Sequence, residues 1–178
     1  HQGLKIPVLY VTHSLTELTR LADYVVFMNA GQSILHGPIM KVLTDPICSS
    51  TLGKEAGTLL AGEVATIDSQ FKLTGIDLPI GRIWVSQPYP LGSSVRVFIR
   101  ANDVLISPEP ILTSSAQNQF LGRIHKIDHD SKSAQALLTI DCQGQALLAR
   151  VTQKALHDLG IVTGSTVFCL LKSVATRR

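Results

Sequence analysis

The residue best placed to do chemistry is His13. It follows an apolar run, Ile6–Val11 (IPVLYV), long enough for a buried strand. It precedes Ser14, which forms a capping-box signature for a helix start with Glu17 three residues on. In parallel α/β sheets, ligands gather where a strand ends and a helix begins. An imidazole there can hydrogen-bond a phosphate oxygen or an attacking water. The plainer reading is a capping or solvent-facing histidine. A second polar cluster, His125, Asp128, His129 and Asp130, has residue types that hold metals. However, Asp128–Ser131 reads better as a hairpin turn, and no second ligand group stands at matching distance. Cys48, Cys142 and Cys169 match no CxxC spacing and read as reduced core residues. The one Gly-Lys pair, Gly53-Lys54, is followed by Glu55, and Cys48 stands where the loop's first glycine belongs. The phosphate-cradling G-x-x-x-x-G-K-[ST] is therefore absent. No Ser-His-Asp or Cys-His set is placed by a motif. Trp84 and Tyr89 read as core rather than as a stacking platform.

These groups must be held by three regions of different texture. A helix is expected from Ser14, with Leu15, Leu18, Leu21 and Ala22 on one face. Tyr24–Met28 reads as a strand, Asn29–Gln32 as a turn, and Ser33–Leu35 as the returning strand. Pro38 opens a helix through Leu43, and Pro46 stops it. Residues 46–60, with Pro46, Ser49, Ser50, Gly53 and Gly57, read as a connecting segment. Short β-like runs then recur at 63–68, 80–85, 95–100, 119–127, 135–141, 145–151 and 166–172, which suggests a small barrel or sandwich. One helix interrupts them, capped by Thr152 and ended by Gly160. No internal repeat is visible, since RVFIRANDVLIS and GRIHKIDHDSKSAQALLTI do not align.

Composition removes several function classes. The 178 residues are 45% hydrophobic, which excludes a wholly disordered chain. The net charge of +3 is small and its basic residues are scattered, so no stripe for nucleic acid exists. Aromatics at 5% leave few platforms for stacking single-stranded bases. No stretch approaches the roughly 20 apolar residues of a membrane span. The chain starts at His1 without a Met and reads as the tail of something longer.

Two segments resemble known families. Val8–Asp23, with Thr12-His13-Ser14, Glu17, Leu21, Ala22 and Asp23, resembles the switch-histidine segment of ABC-transporter ATPases. Val25–Gly37 resembles that family's next hairpin, and Gly37–Pro46 the closing stretch of its nucleotide-binding domain in importers. Thr113-Ser114-Ser115-Ala116-Gln117-Asn118 through Ile124 resembles the opening of the Mop (molybdate-binding, TOBE-type) domain. Leu147–Ser173, with Val151-Thr152, Ala155, Gly164, Val167 and Leu171-Lys172-Ser173, resembles its closing half. Arg100–Val104 stands where relatives carry a strand of an accessory β domain.

The resemblance implies a fold class: an α/β fragment, the end of an ABC nucleotide-binding domain, followed by an all-β OB-like barrel. Residues 1–46 would close the ATPase domain and 47–60 would link it onward. Residues 61–111 would be an accessory β segment and 112–178 the Mop domain. It implies part of the ATP-binding subunit of a molybdate importer, peripheral on the inner face of the plasma membrane. Its implied partners are a permease subunit, a second copy of the subunit and an oxyanion, with no nucleic acid. His13 would contact the γ-phosphate and lytic water of ATP bound with Mg²⁺. Lacking the Walker loops and the LSGGQ signature, the chain alone should be inactive. Molybdate or tungstate would meet Ser115, backbone N–H groups around Ala116, Gln117 and Asn118, and Lys172 and Ser173. A tetrahedral dianion wants several short donors and limited positive charge. Gln117 departs from the family's Arg and removes one charge. The alternatives are a free-standing oxyanion storage protein and the tail of an importer for sulfate, sugar or iron.

Overall fold

The computed structural model describes residues 6–131 and 133–172. Helix α1 (Leu15–Leu21) starts where its cap signal lies: Ser14 Oγ accepts from Glu17 N–H at 3.3 Å. The box is not closed in return. Ser14 N–H donates to Thr12 Oγ1 (3.0 Å), while the Glu17 carboxylate accepts from Thr12 (2.5 Å) and Tyr10 (3.1 Å). Strands β1 (Tyr24–Asn29) and β2 (Gln32–Pro38) pair antiparallel as expected. Their two-residue turn places Ala30 (φ 48°) and Gly31 (φ 77°) in the left-handed region, the geometry that fits strand twist. Helix α2 (Ile39–Val42) follows Pro38.

Two expectations fail here. Pro46 does not end a helix; it begins one. Asp45 accepts from Ile47 N–H at 2.8 Å and caps α3 (Pro46–Leu52), because a proline at the first helical position costs no hydrogen bond. A 3₁₀ turn (Gly53–Glu55) then leads into a strand, so residues 46–60 are ordered throughout. Ile6–Val11 is not a strand. Among the described residues no strand lies beside it, and a lone strand cannot satisfy its backbone. Leu9 and Val11 are accordingly 93% and 91% exposed.

The remainder is β structure. Strands β3 (Gly57–Asp68), β4 (Leu73–Leu78), β5 (Gly81–Val85) and β6 (Ser94–Arg100) form a sheet in the order β5-β4-β3-β6. After β7 (Leu105–Ser107) come β8 (Asn118–His129), β9 (Gln135–Cys142) and β10 (Gln145–Thr152). Helix α4 (Gln153–Asp158) and β11 (Thr166–Leu171) follow. Their sheet runs β10-β9-β8-β11-β7. Strand β4 and the short β7 carry no clear sequence run and were not expected.

Backbone geometry reveals a repeat, and in its register a few residues match, among them Ile67/Ile127, Asp68/Asp128 and Gly92-Ser93/Gly164-Ser165. Strands β3 and β8 each span 12 residues, and each shifts register at one point, Val64/Thr66 and Ile124/Lys126. Val64 N–H donates to Ser93 O and Gly92 N–H to Val64 O; Ile124 N–H donates to Ser165 O and Gly164 N–H to Ile124 O. Gly92 (φ 75°) and Gly164 (φ 91°) both take the left-handed conformation this loop requires. Gly62 and Gly122 also correspond. A Cβ on Gly62 would lie 2.3 Å from Asp77 O, and one on Gly122 would lie 2.6 Å from Ile140 Cγ2. Gly62 opposes Val95 in β6 as Gly122 opposes Val167 in β11. We call residues 55–100 the first lobe and 115–172 the second.

One apolar core serves both lobes. Val64, Ile76, Ile83 and Ile99 of the first cluster with Ile124, Leu138, Ile140 and Val167 of the second. Polar side chains tie the outer strands across the divide. Asn118, at the start of β8, accepts from Trp84 N–H (2.7 Å) and donates to Trp84 O (3.0 Å) in β5. Its counterpart Thr58, at the start of β3, accepts from Leu148 N–H (2.9 Å) in β10. Asn118 is 2% exposed, so deleting its amide leaves buried backbone groups of Trp84 unpaired. Asn118→Ala is expected to lower the unfolding free energy by about 2–3 kcal/mol. Urea denaturation followed by Trp84 fluorescence measures it.

Candidate functional site

The two segments expected to meet an oxyanion come together within one chain. In the β8–β11 ladder Asn118 opposes Leu171, the last pair, so Gln117 and Lys172 are the next residues beyond it on the two segments. Ser115, Gln117 and Lys172 are all exposed at this end. Their side chains carry a hydroxyl, an amide and an ammonium, all hydrogen-bond donors.

Other expected members do different work. Ala116 is buried, and its N–H donates to Ser114 Oγ at 2.9 Å, so that backbone donor is already engaged. The Asn118 side chain, as distinct from the backbone N–H expected to face the ligand, has both amide atoms bound to Trp84. Its role is architectural because the first strand of each lobe must reach across to the opposite hairpin. Ser173 lies outside the described residues. Sequence reasoning missed Ser114 as the holder of the Ala116 N–H. A serine two residues before the amide it binds is a local turn signal that was available.

His13 is exposed, one residue before the cap of α1. Its surroundings are tied down on both sides. Thr12 and Tyr10 converge on the Glu17 carboxylate. Beyond the helix, Arg96 of β6 donates to Ala22 O at 2.6 Å and pairs with Asp23. Apolar contacts reinforce this junction: Leu15, Leu18 and Ala22 pack with Val25, Leu43, Leu59 and Phe98. The α/β piece is thereby fastened to the first lobe.

All three cysteines are buried and unpaired, as the sequence suggests. Burial, with Asp45 nearby, pushes the Cys48 thiol up to about 11. Cys169 lies against Cys142 in the shared core, and its thiol is likewise held well above the ordinary range. Neither is poised as a nucleophile.

Comparison with known proteins agrees with this picture. Residues 114–177 match the TOBE domain. The chain is 36% identical to the molybdenum import ATP-binding protein ModC 2 of Azotobacter vinelandii over 173 residues, covering 97% of this chain and 48% of that protein. It is also 36% identical to ModC of Methylococcus capsulatus over 176 residues, 98% of this chain and 49% of that protein. The chain thus spans about half the length of the curated relatives it matches. In fold it resembles a solved structure of the cytoplasmic molybdate-binding protein ModG with molybdate bound, with a TM-score of 0.58 and 21% identity. That likeness covers 67% of this chain and 93% of the other.

The segment around His13 has a measurable electrostatic signature. Hydrogen bonds from Thr12 and then Tyr10, with His13 nearby, hold the Glu17 carboxyl below the usual glutamate range. These bonds favour the charged form, so they are complete above the ordinary glutamate pKa and are lost as pH falls through the lowered one. Thr12→Val is expected to move the Glu17 midpoint upward, toward an ordinary glutamate. An NMR titration of the side-chain carboxyl carbon reads the shift.

Proposed function

We propose, from likeness along nearly its whole length to molybdenum import ATP-binding proteins, that this chain is a portion of such a subunit and that its second lobe binds the oxyanion. The observation that supports the site is the register at the end of β8 and β11, where Asn118 opposes Leu171 and the next residues outward are Gln117 and Lys172, with Ser115 close by in sequence. A tetrahedral dianion is held best by short charge-assisted bonds. Lys172 supplies the charge, Ser115 a hydroxyl and Gln117 an amide that takes the place of the family's guanidinium. The amide donates without charge, so selectivity rests more on geometry and less on raw attraction than an Arg would allow. Ser173, next in sequence after Lys172, is a further donor in this reading.

The same reading assigns residues 1–46 to the end of an ATPase domain. ATP with Mg²⁺ would be held mainly by residues other than these, since the chain has no phosphate-cradling loop. His13 is the contribution this piece makes, an exposed imidazole on a segment braced by Thr12, Glu17 and the α1 cap. Pairing of two such subunits, docking to a permease and a place on the inner face of the membrane belong to this proposal. Among the described residues no helix is long and apolar enough to cross a membrane. A second reading, a free-standing oxyanion-binding protein, takes support from the fold likeness to ModG. The packing of the α/β piece against Leu59 and Phe98 favours the subunit.

Calorimetric titration of molybdate into the whole chain tests the site. Saturable binding is expected, with Lys172→Ala weakening it by about tenfold or more, the loss of one charge-assisted bond. Sulfate serves as the comparison ion. Absence of saturable heat at millimolar molybdate would overturn the reading.

A further inference from the structure

The two lobes repeat in backbone but not in the residues at their ends. Position for position, Thr58 corresponds to Asn118 and Ile99 to Leu171, since both pairs oppose each other in matching ladders. One step out from these pairs, Gly57 opposes Arg100 in the first lobe where Gln117 and Lys172 are the next residues outward in the second. Two steps further back, Glu55 corresponds to Ser115. Ala56 and Ala116 between them are both buried. The place in the first lobe that matches the proposed oxyanion site is therefore bounded by Glu55, Gly57 and Arg100.

This place already holds an anion. The Glu55 carboxylate bonds the Arg100 guanidinium at 3.0 Å. The surroundings are basic. Arg150 reaches over from β10 and donates from Nη2 to Gly53 O at 2.8 Å, while its buried Nε has no hydrogen-bond partner among the described residues. Lys54 lies next to Glu55 and is exposed. The first lobe thus keeps the cationic half of an oxyanion site and fills it with a carboxylate carried on the chain itself. In the second lobe the same backbone position carries Ser115, which leaves the Lys172 charge to an external ligand.

We infer that Glu55 is an internal stand-in for the oxyanion, which closes the first lobe to external ligand and limits the chain to one bound tetrahedral dianion. This rests on the reading of the second lobe as an oxyanion site. A dianion entering the first lobe must displace Glu55 from Arg100 and then sit beside a like charge. Removing that carboxylate opens the place: Arg100 is freed, Arg150 and Lys54 remain, and at Glu55→Ser a hydroxyl takes the position that Ser115 has in the second lobe.

The test is the stoichiometry of molybdate per chain, by calorimetry and by equilibrium dialysis with metal analysis. The proteins are the wild type, Glu55→Ser, Glu55→Gln and the double variant Glu55→Ser/Arg100→Ala. The expected result is one molybdate in the wild type and two in both single Glu55 variants, the second within about tenfold of the first in affinity. The double variant should return to one. Glu55→Gln keeps the side-chain volume and guards against a packing effect of the smaller serine. One molybdate in the wild type and still one in both Glu55 variants overturns the inference and leaves the second-lobe site standing. Two in the wild type also overturns it, since Glu55 would then not exclude the ligand. None in the wild type with one in the Glu55 variants upholds the stand-in and overturns the second-lobe site. None in any protein overturns both.

Discussion

The structure depends on one constraint: neither lobe can bury its apolar face or finish its outer strand alone. The lobes share a core in which Val64, Ile76 and Ile83 meet Ile124, Leu138 and Ile140. Each hairpin's outer strand also receives a polar side chain from the opposite lobe, Asn118 on Trp84 and Thr58 on Leu148. An outer strand presents unpaired N–H and C=O groups, and those groups invite pairing with another chain unless they are covered. Here the cover is reciprocal. Strand β7, which follows the first lobe, adds to the exchange by pairing with β11 of the second.

That reciprocity sets what the strand ends can do. The starts of β3 and β8 are committed to holding the lobes together through Thr58 and Asn118. This is why Asn118, a polar residue inside the motif, is structural, while Ser115, Gln117 and Lys172 remain exposed. The equivalent positions of the first lobe have diverged to Glu55 and Arg100, which satisfy each other. A duplicated backbone thus carries different residue chemistry at its two ends.

The α/β piece is attached by a different device. Leu59 and Phe98 of the first lobe complete the small core around Ile39, Val42 and Leu43, and Arg96 seizes the carbonyl of Ala22 and the carboxylate of Asp23. The helix that begins just after His13 is therefore continuous, through side-chain contact, with an edge strand of the first lobe. Its other face is not covered: Val8, Leu9 and Val11 stand exposed. Apolar residues spaced as a buried strand call for sheet neighbours that these residues do not provide.

Much was legible in the residues alone. The cap at Ser14, the β1–β2 hairpin, the Thr152 cap and the Gly160 stop follow from local chemistry, because caps and turns are decided by side chains within a few residues of the backbone they satisfy. The α3 helix was misread for an equally local reason, since a proline can begin a helix as readily as end one and Asp45 decides which. Tertiary structure alone decided the rest. The repeat of the lobes is carried by register, bulges and left-handed glycines, and only in the register these set do the sparse matches Ala56/Ala116, Gly62/Gly122, Ile67/Ile127, Asp68/Asp128 and Gly92-Ser93/Gly164-Ser165 line up. Only the ladder brings the segment ending at Gln117 and the segment starting at Lys172 to the same sheet end. The commitment of Asn118 to Trp84 spans 34 residues. A contact that long is set by how two sheets close on one core, which no local pattern encodes.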